Sequence, residues 1–302
     1  MLSWLPWQDA AEMATATAAG WTVTRRSSRP WAAALRPWAK ELTLILVLYG
    51  MWQYAGAWSI GRSSVAISRG RTIWDVERAM LLPSERATQA LVLHHRTLMH
   101  WLNEYYAIVH VPALAACLIW LFVRHRDRYP PVRTVVALVT GASLLIQLFP
   151  VAPPRLLPHV GVVDTGALIG PNVYSRGAPG IDQLSAMPSL HVAWALIVGA
   201  AIVWVCRSRW RWLALLYPAL TMFDVVATGN HYWADGIVAA SLCALAALVV
   251  FKAYARPLFD LSRPGPRPEP EVRPEVAPEV EPALPLARRG RPARPGARLA
   301  HS

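Results

Sequence analysis

Apolar residues in this chain come in long blocks, without the alternating or one-faced patterns of a soluble fold. Six such blocks, at 42–60, 105–123, 134–151, 190–206, 212–229 and 236–254, are separated by more polar segments. A bilayer core of about 30 Å needs about 20 apolar residues per helix. Each block therefore predicts a membrane-crossing helix, and together they predict an all-α membrane protein, a six-transmembrane-helix bundle. The expected organisation is an N-terminal segment 1–40, a membrane domain 41–255 and a tail 256–302. The first twenty residues lack a basic start and include Asp9 and Glu12, so they do not read as a cleaved signal peptide. From Arg256 onward the composition turns to Pro, Glu, Arg and Ala, as in Pro264-Gly-Pro-Arg-Pro-Glu-Pro270, and no hydrophobic period survives. Such a segment is expected to be disordered and solvated.

Composition strengthens the membrane reading. Of 302 residues 55% are hydrophobic and 16% charged, and the mean hydropathy is +0.30. A soluble enzyme or a nucleic-acid module is disfavoured, and so is a disulfide scaffold, because Cys117, Cys206 and Cys243 all fall inside apolar blocks. The net charge of +12 is concentrated between blocks and in the tail, which suits anionic lipid headgroups rather than nucleic acid. Basic residues precede block one (Arg25, Arg26, Arg29, Arg36, Lys40) and join blocks two and three (Arg124, Arg126, Arg128, Arg133) and four and five (Arg207, Arg209, Arg211). The positive-inside rule puts these segments, and both termini, in the cytoplasm of a plasma-membrane protein. Segment 61–104 disagrees, being outside yet carrying six Arg, but its acids Asp75, Glu77, Glu85 and Glu104 and its length weaken the objection.

Two segments put ionisable groups at the outer ends of these helices, where they are costly unless used. In Ser185-Ala-Met-Pro-Ser-Leu-His191, Pro188 and Ser189 suit a helix start whose free amides can bind an anion, with His191 beside it. In Thr228-Gly-Asn-His-Tyr-Trp-Ala-Asp235, His231 and Asp235 are four apart, so a helix brings imidazole and carboxylate together. Two histidines, a carboxylate and an anion site suit phosphoryl transfer, one imidazole attacking phosphorus while the other protonates the leaving oxygen. The same three residues also have metal-ligand spacing, but an anion-binding helix start is not something a cation site needs, and no metal or cofactor is expected. A third reading is a lipid-binding transporter or scaffold without turnover.

Pro188-Ser-Leu-His191 and His231-x-x-x-Asp235 resemble motifs of the type-2 phosphatidic acid phosphatase superfamily, whose members have a six-helix membrane core. Phe149-Pro-Val-Ala-Pro-Pro-Arg155, Val163-Asp-Thr165 and the stretch 103–112, with Tyr105, Tyr106 and His110, are similar to the branch of inositolphosphorylceramide synthases and bacterial inositolphosphotransferase-like proteins. The resemblance implies a lipid phosphate or phosphodiester substrate, with water or a polyol such as inositol as acceptor. It makes His231 the nucleophile, Asp235 its orienting partner and His191 the general acid, with Arg155 and Ser189 holding phosphate. Where the superfamily carries a Lys and a Ser-Arg pair, this chain has Leu148 and Asp224-Val225. Arg176, His110, Tyr106, Asp224 and Asp164 are further candidates for contact with substrate. His94, His95 and His100 read as interfacial residues, and Asn172 and Asp164 as loop residues.

Overall fold

The computed structural model describes residues 6–59, 61–170 and 183–255, all inside one compact unit, Met1–Phe259. Among them the chain is helical, with no strand and a single parallel bridge between Val151 and Ser185. In chain order the helices are α1 Trp7–Arg26, α2 Pro30–Ser59, α3 Ser63–Ala79, α4 Glu85–Leu93, α5 Arg96–Ile108 and α6 His110–Arg124. There follow α7 Tyr129–Gln147, α8 Thr165–Ile169, α9 Leu190–Val205, α10 Leu216–Ala227 and α11 Trp233–Ala255.

Every apolar block contains a helix, but the lengths depart from expectation. Among the described residues α7 and α11 are long and apolar enough to cross a membrane, and α5 with α6 makes a third span if the bent pair is counted as one. Prolines account for two of the departures. The second block breaks at Val109 with a bend of 49°, because Pro112 has no N–H to give the Ile108 carbonyl. The fifth is divided between a 3-10 stretch, Arg209–Leu215, and the 12-residue α10. Pro218 sits in the first turn of α10, where its missing N–H costs least. Block four forms the apolar α9, only 16 residues long.

The helix α2 runs straight through residue 40, where a segment boundary was expected, and α1 lies antiparallel along it. Trp7 meets Tyr54 edge to face at 5.4 Å, Thr43 Oγ1 donates to Thr17 Oγ1 at 2.9 Å and Arg36 donates to the Thr24 carbonyl at 2.8 Å. The paired numbers sum to about sixty throughout, the signature of a hairpin in constant register.

From α6 onward the helices alternate in direction. Arg128, at the start of α7, stacks over Trp204 at the end of α9, and Trp204 meets Phe251 near the end of α11. Thus α9 and α11 both start where α7 finishes. Their shared core is built from small and β-branched residues, among them Val135, Val139, Val192, Ala193, Val225 and Ala239, which let helices approach closely where lipid supplies no hydrophobic drive between them. On the outside Ile119, Leu138, Leu145, Leu245, Leu248 and Val249 are exposed, an apolar jacket that fits a bilayer. The loops 148–164, 183–189 and 228–232, together with α3, α4 and α8, gather at the end where α9 and α11 begin.

Candidate active site

The turn that carries His231 is wound back onto α10. The amides of Asn230 and His231 both donate to the Val225 carbonyl, at 3.1 and 3.0 Å. Gly229 takes φ +74°, and its carbonyl accepts from the Arg155 amide at 3.1 Å. A Cβ at this position would stand 2.8 Å from Val162 Cγ1 and 3.2 Å from Arg155 Cβ, so both conformation and space require glycine.

His231 is buried, and its Nδ1 faces two acceptors, the Ala186 carbonyl at 2.7 Å and Asp235 Oδ2 at 3.1 Å. A carbonyl can only accept, so Nδ1 carries a proton, and in the neutral ring the lone pair is on Nε2. Asp235, fully buried in the first turn of α11, also accepts from the Tyr232 amide at 2.9 Å. Ala186 is placed by the bridge to the end of α7: Val151 donates to the Leu184 carbonyl at 2.6 Å and Ala186 to the Val151 carbonyl at 3.2 Å. Tyr232 secures the same strip through its hydroxyl, which donates to the Ala152 carbonyl at 2.7 Å.

Ser189 caps α9, its Oγ accepting from the Val192 amide at 3.3 Å, and its own amide reaches the Asp235 carbonyl at 3.5 Å. The starts of α9 and α11 are thereby tied together. The first-turn amides of Leu190 and His191 have no intrahelical acceptor. The half-buried His191 ring lies 5.8 Å from that of His231, centroid to centroid, and its Nδ1 makes no hydrogen bond among the described residues. Tyr106 lies against His191 at 4.3 Å with the rings tilted by 31°, and His110, at the α5–α6 bend, meets His191 edge to face at 4.8 Å while its Nδ1 lies 3.1 Å from the Tyr217 hydroxyl.

Arg155 is buried beside the dyad. Its Nε donates to Asn230 Oδ1 at 2.8 Å and its NH1 to Asp164 Oδ2 at 3.0 Å. Asp164 Oδ1 in turn caps α8 by accepting from Ala167 at 3.0 Å, so both of its oxygens are engaged. Asp224 is fully buried and hydrogen-bonds to neither histidine. Arg176 and Asn172 fall outside the described residues. Leu148 ends α7, and Val225, at the other departed position, lies in the apolar core. Among the described residues no three His, Cys, Asp or Glu side chains gather as a cation site. His100 Nδ1 lies 3.2 Å from the Gly170 carbonyl.

The sequence reading missed the residues that hold these loops. Gln89 donates to the Val163 and Ala227 carbonyls at 3.0 and 3.1 Å and accepts from the Val163 amide at 2.8 Å. Glu77 accepts from the Ala234 amide at 2.6 Å. One signal was available: Glu85, Thr88, Gln89 and Val92 are the buried face of α4, a helical stripe that is polar where a core face should be apolar.

The profile of the PAP2 superfamily matches residues 71–250, and the chain belongs to that superfamily. It is thus a helical membrane protein among phosphatases and phosphotransferases that act on lipid phosphates. The matched region takes in every residue of the site and leaves out α1 and α2. Comparison with curated proteins and with solved structures finds no match.

Proposed function

We propose that the protein is a lipid phosphotransferase or phosphatase that works through a phosphohistidine on His231 at the extracytoplasmic face of a six-span bundle. The observation that carries this reading is the pair of acceptors on His231 Nδ1, which leaves Nε2 as a nucleophile while Asp235 stabilises the positive charge that the ring acquires. Nε2 attacks phosphorus, the bond to the lipid oxygen breaks, and His191 gives that oxygen its proton. In the second step an acceptor O–H returns the proton to His191 as its oxygen attacks, and the N–P bond breaks. Arg155, Ser189 and the first amides of α9 hold the phosphate oxygens, with Arg176 as a further cation. Water as acceptor gives hydrolysis of a phosphatidate or polyprenyl phosphate; inositol or another polyol gives transfer.

The test is incubation of the purified protein with candidate phospholipids and lipid phosphates, with and without inositol, followed by mass spectrometry of the products and of His231. Phosphate on His231, and a released lipid alcohol or a new phospho-polyol, is the expected result. Lipid binding without turnover or covalent phosphate would leave a lipid-binding scaffold instead.

A further inference from the structure

Segment 61–104 contains a pair of acids that the catalytic scheme leaves unused. Glu77 on α3 and Glu85 on α4 are both fully buried. Glu77 Oε1 accepts from the Ala234 amide at 2.6 Å, in the three-residue stretch between His231 and Asp235. Arg78 Nη2 stands 3.0 Å from Glu85 Oε2 and 3.9 Å from Glu77 Oε2, so the two acids share one guanidinium. One guanidinium cannot neutralise two carboxylates buried side by side. The consistent state has one proton between the two acids, and a trio with no net charge.

We infer that Glu77, sharing one proton with Glu85 beside Arg78, is a positioning residue that holds the His231–Asp235 turn through the Ala234 amide. Four groups face it: Glu85 from α4, Arg78 from its own helix, Asp235 from α11, and Tyr232 from the turn before α11. Loss of the shared proton puts a second negative charge beside Arg78 and close to Asp235, at the point where the turn is anchored. The direction of titration agrees. Burial first, and then the neighbouring Glu85, push the Glu77 carboxyl up from 4.5 to about 9. The folded protein therefore binds more protons than the unfolded chain between these values. The stabilisation is complete below about 4.5 and is lost as pH rises through about 9.

The catalytic meaning of this anchor rests on the function proposed above; the anchor itself does not, and the experiment separates them. Glu77→Gln keeps an oxygen for Ala234 and an N–H for Glu85 but cannot titrate. In the wild-type protein unfolding midpoints in detergent should fall between about pH 5 and 9; in the Gln variant this fall should be absent, and kcat at pH 7 should stay within about threefold. In a folded Glu77→Ala, kcat should drop by tenfold or more, the order expected when a reacting group is displaced by about an ångström, with little change in KM. Acylation of His231 by diethyl pyrocarbonate, read by peptide mass spectrometry, should also become faster than in wild type, where the ring is buried. An unchanged fall in stability with rising pH in Glu77→Gln, or native His231 acylation in folded Glu77→Ala, overturns the inference. Inactivity of the wild-type protein on every lipid phosphate, with the stability and acylation shifts intact, counts instead against the proposed function.

Discussion

The two ends of the site-bearing helices are held by different forces. Below the site, α7, α9, α10 and α11 pack through Val and Ala side chains, whose contributions are many and individually small. At the site, the loops are held by a few directional bonds between sequence-distant partners: Tyr232 to Ala152, Arg155 to Asn230, Gln89 to Val163, Glu77 to Ala234. Packing tolerates a lost methylene by partial relaxation, whereas a bond that sets a ring's orientation either exists or does not. The apolar interior should therefore govern stability with little influence on turnover, and the polar end should govern turnover, with the buried Glu77 a strong hold on stability as well.

The sharpest test of that contrast is His231→Ala, which should abolish turnover, by about 10⁴-fold or more, with no loss of folding or membrane insertion. Near-native turnover from an equally folded variant would remove His231 as nucleophile. Next in size is His191→Ala. General acid help is worth about 10²–10⁴-fold, so turnover of a lipid alkoxide ester should fall by that much, and turnover of an activated aryl phosphate much less. Equal losses on both substrates would mean that His191 binds phosphate rather than protonating the leaving group. Gly229→Ala forces a side chain onto Val162 and Arg155; kcat should fall about 10²-fold, and the strained backbone should lower stability by about 1–3 kcal/mol. A large shift in midpoint with native kcat would erase the distinction between the two ends. The smallest catalytic effect is expected in the core, where Val139→Ala should lower stability by about 1–3 kcal/mol and leave kcat within twofold, measured by thermal unfolding and turnover in the same detergent.

How much of this was legible in the sequence depends on the range of each interaction. Apolar blocks write helices locally, so all six helical regions were readable, and Pro112 and Pro218 were readable signals for breaks that the block lengths concealed. The His231–Asp235 pair was legible from its four-residue spacing, although the helix expected to carry both begins only at Trp233, leaving His231 in the turn ahead of it. The Ser189 cap is equally local. The anchors were not, because Glu77 and Ala234 are 157 residues apart and no short-range pattern joins them. Glu77 and Glu85 entered the sequence reading only as charges that blurred an orientation rule; their burial inverts that meaning. Helix α1 was missed as a partner of α2 because it is not markedly apolar and shows its neighbour only a narrow face, with Ala10 and Ala14 buried and Asp9 and Glu12 exposed.

The constant register between α1 and α2 bears on how the protein enters its membrane. Helices paired over their whole length can insert together as a hairpin, the tip staying behind and both free ends crossing. The tip carries Arg25, Arg26 and Arg29, and Arg36 reaches back to Thr24, a charge load that opposes translocation. Trp7 then shares the depth of Tyr54 and travels to the side where α2 hands over to α3. An insertion of this kind would put residue 7 on the side away from the Arg-rich tip, whereas the charge pattern alone predicts a cytoplasmic start, and α1 by itself is not among the helices apolar enough to cross a membrane. A single cysteine in place of Trp7 would react with an impermeant thiol reagent on intact cells, and one in place of Ser28 would stay protected.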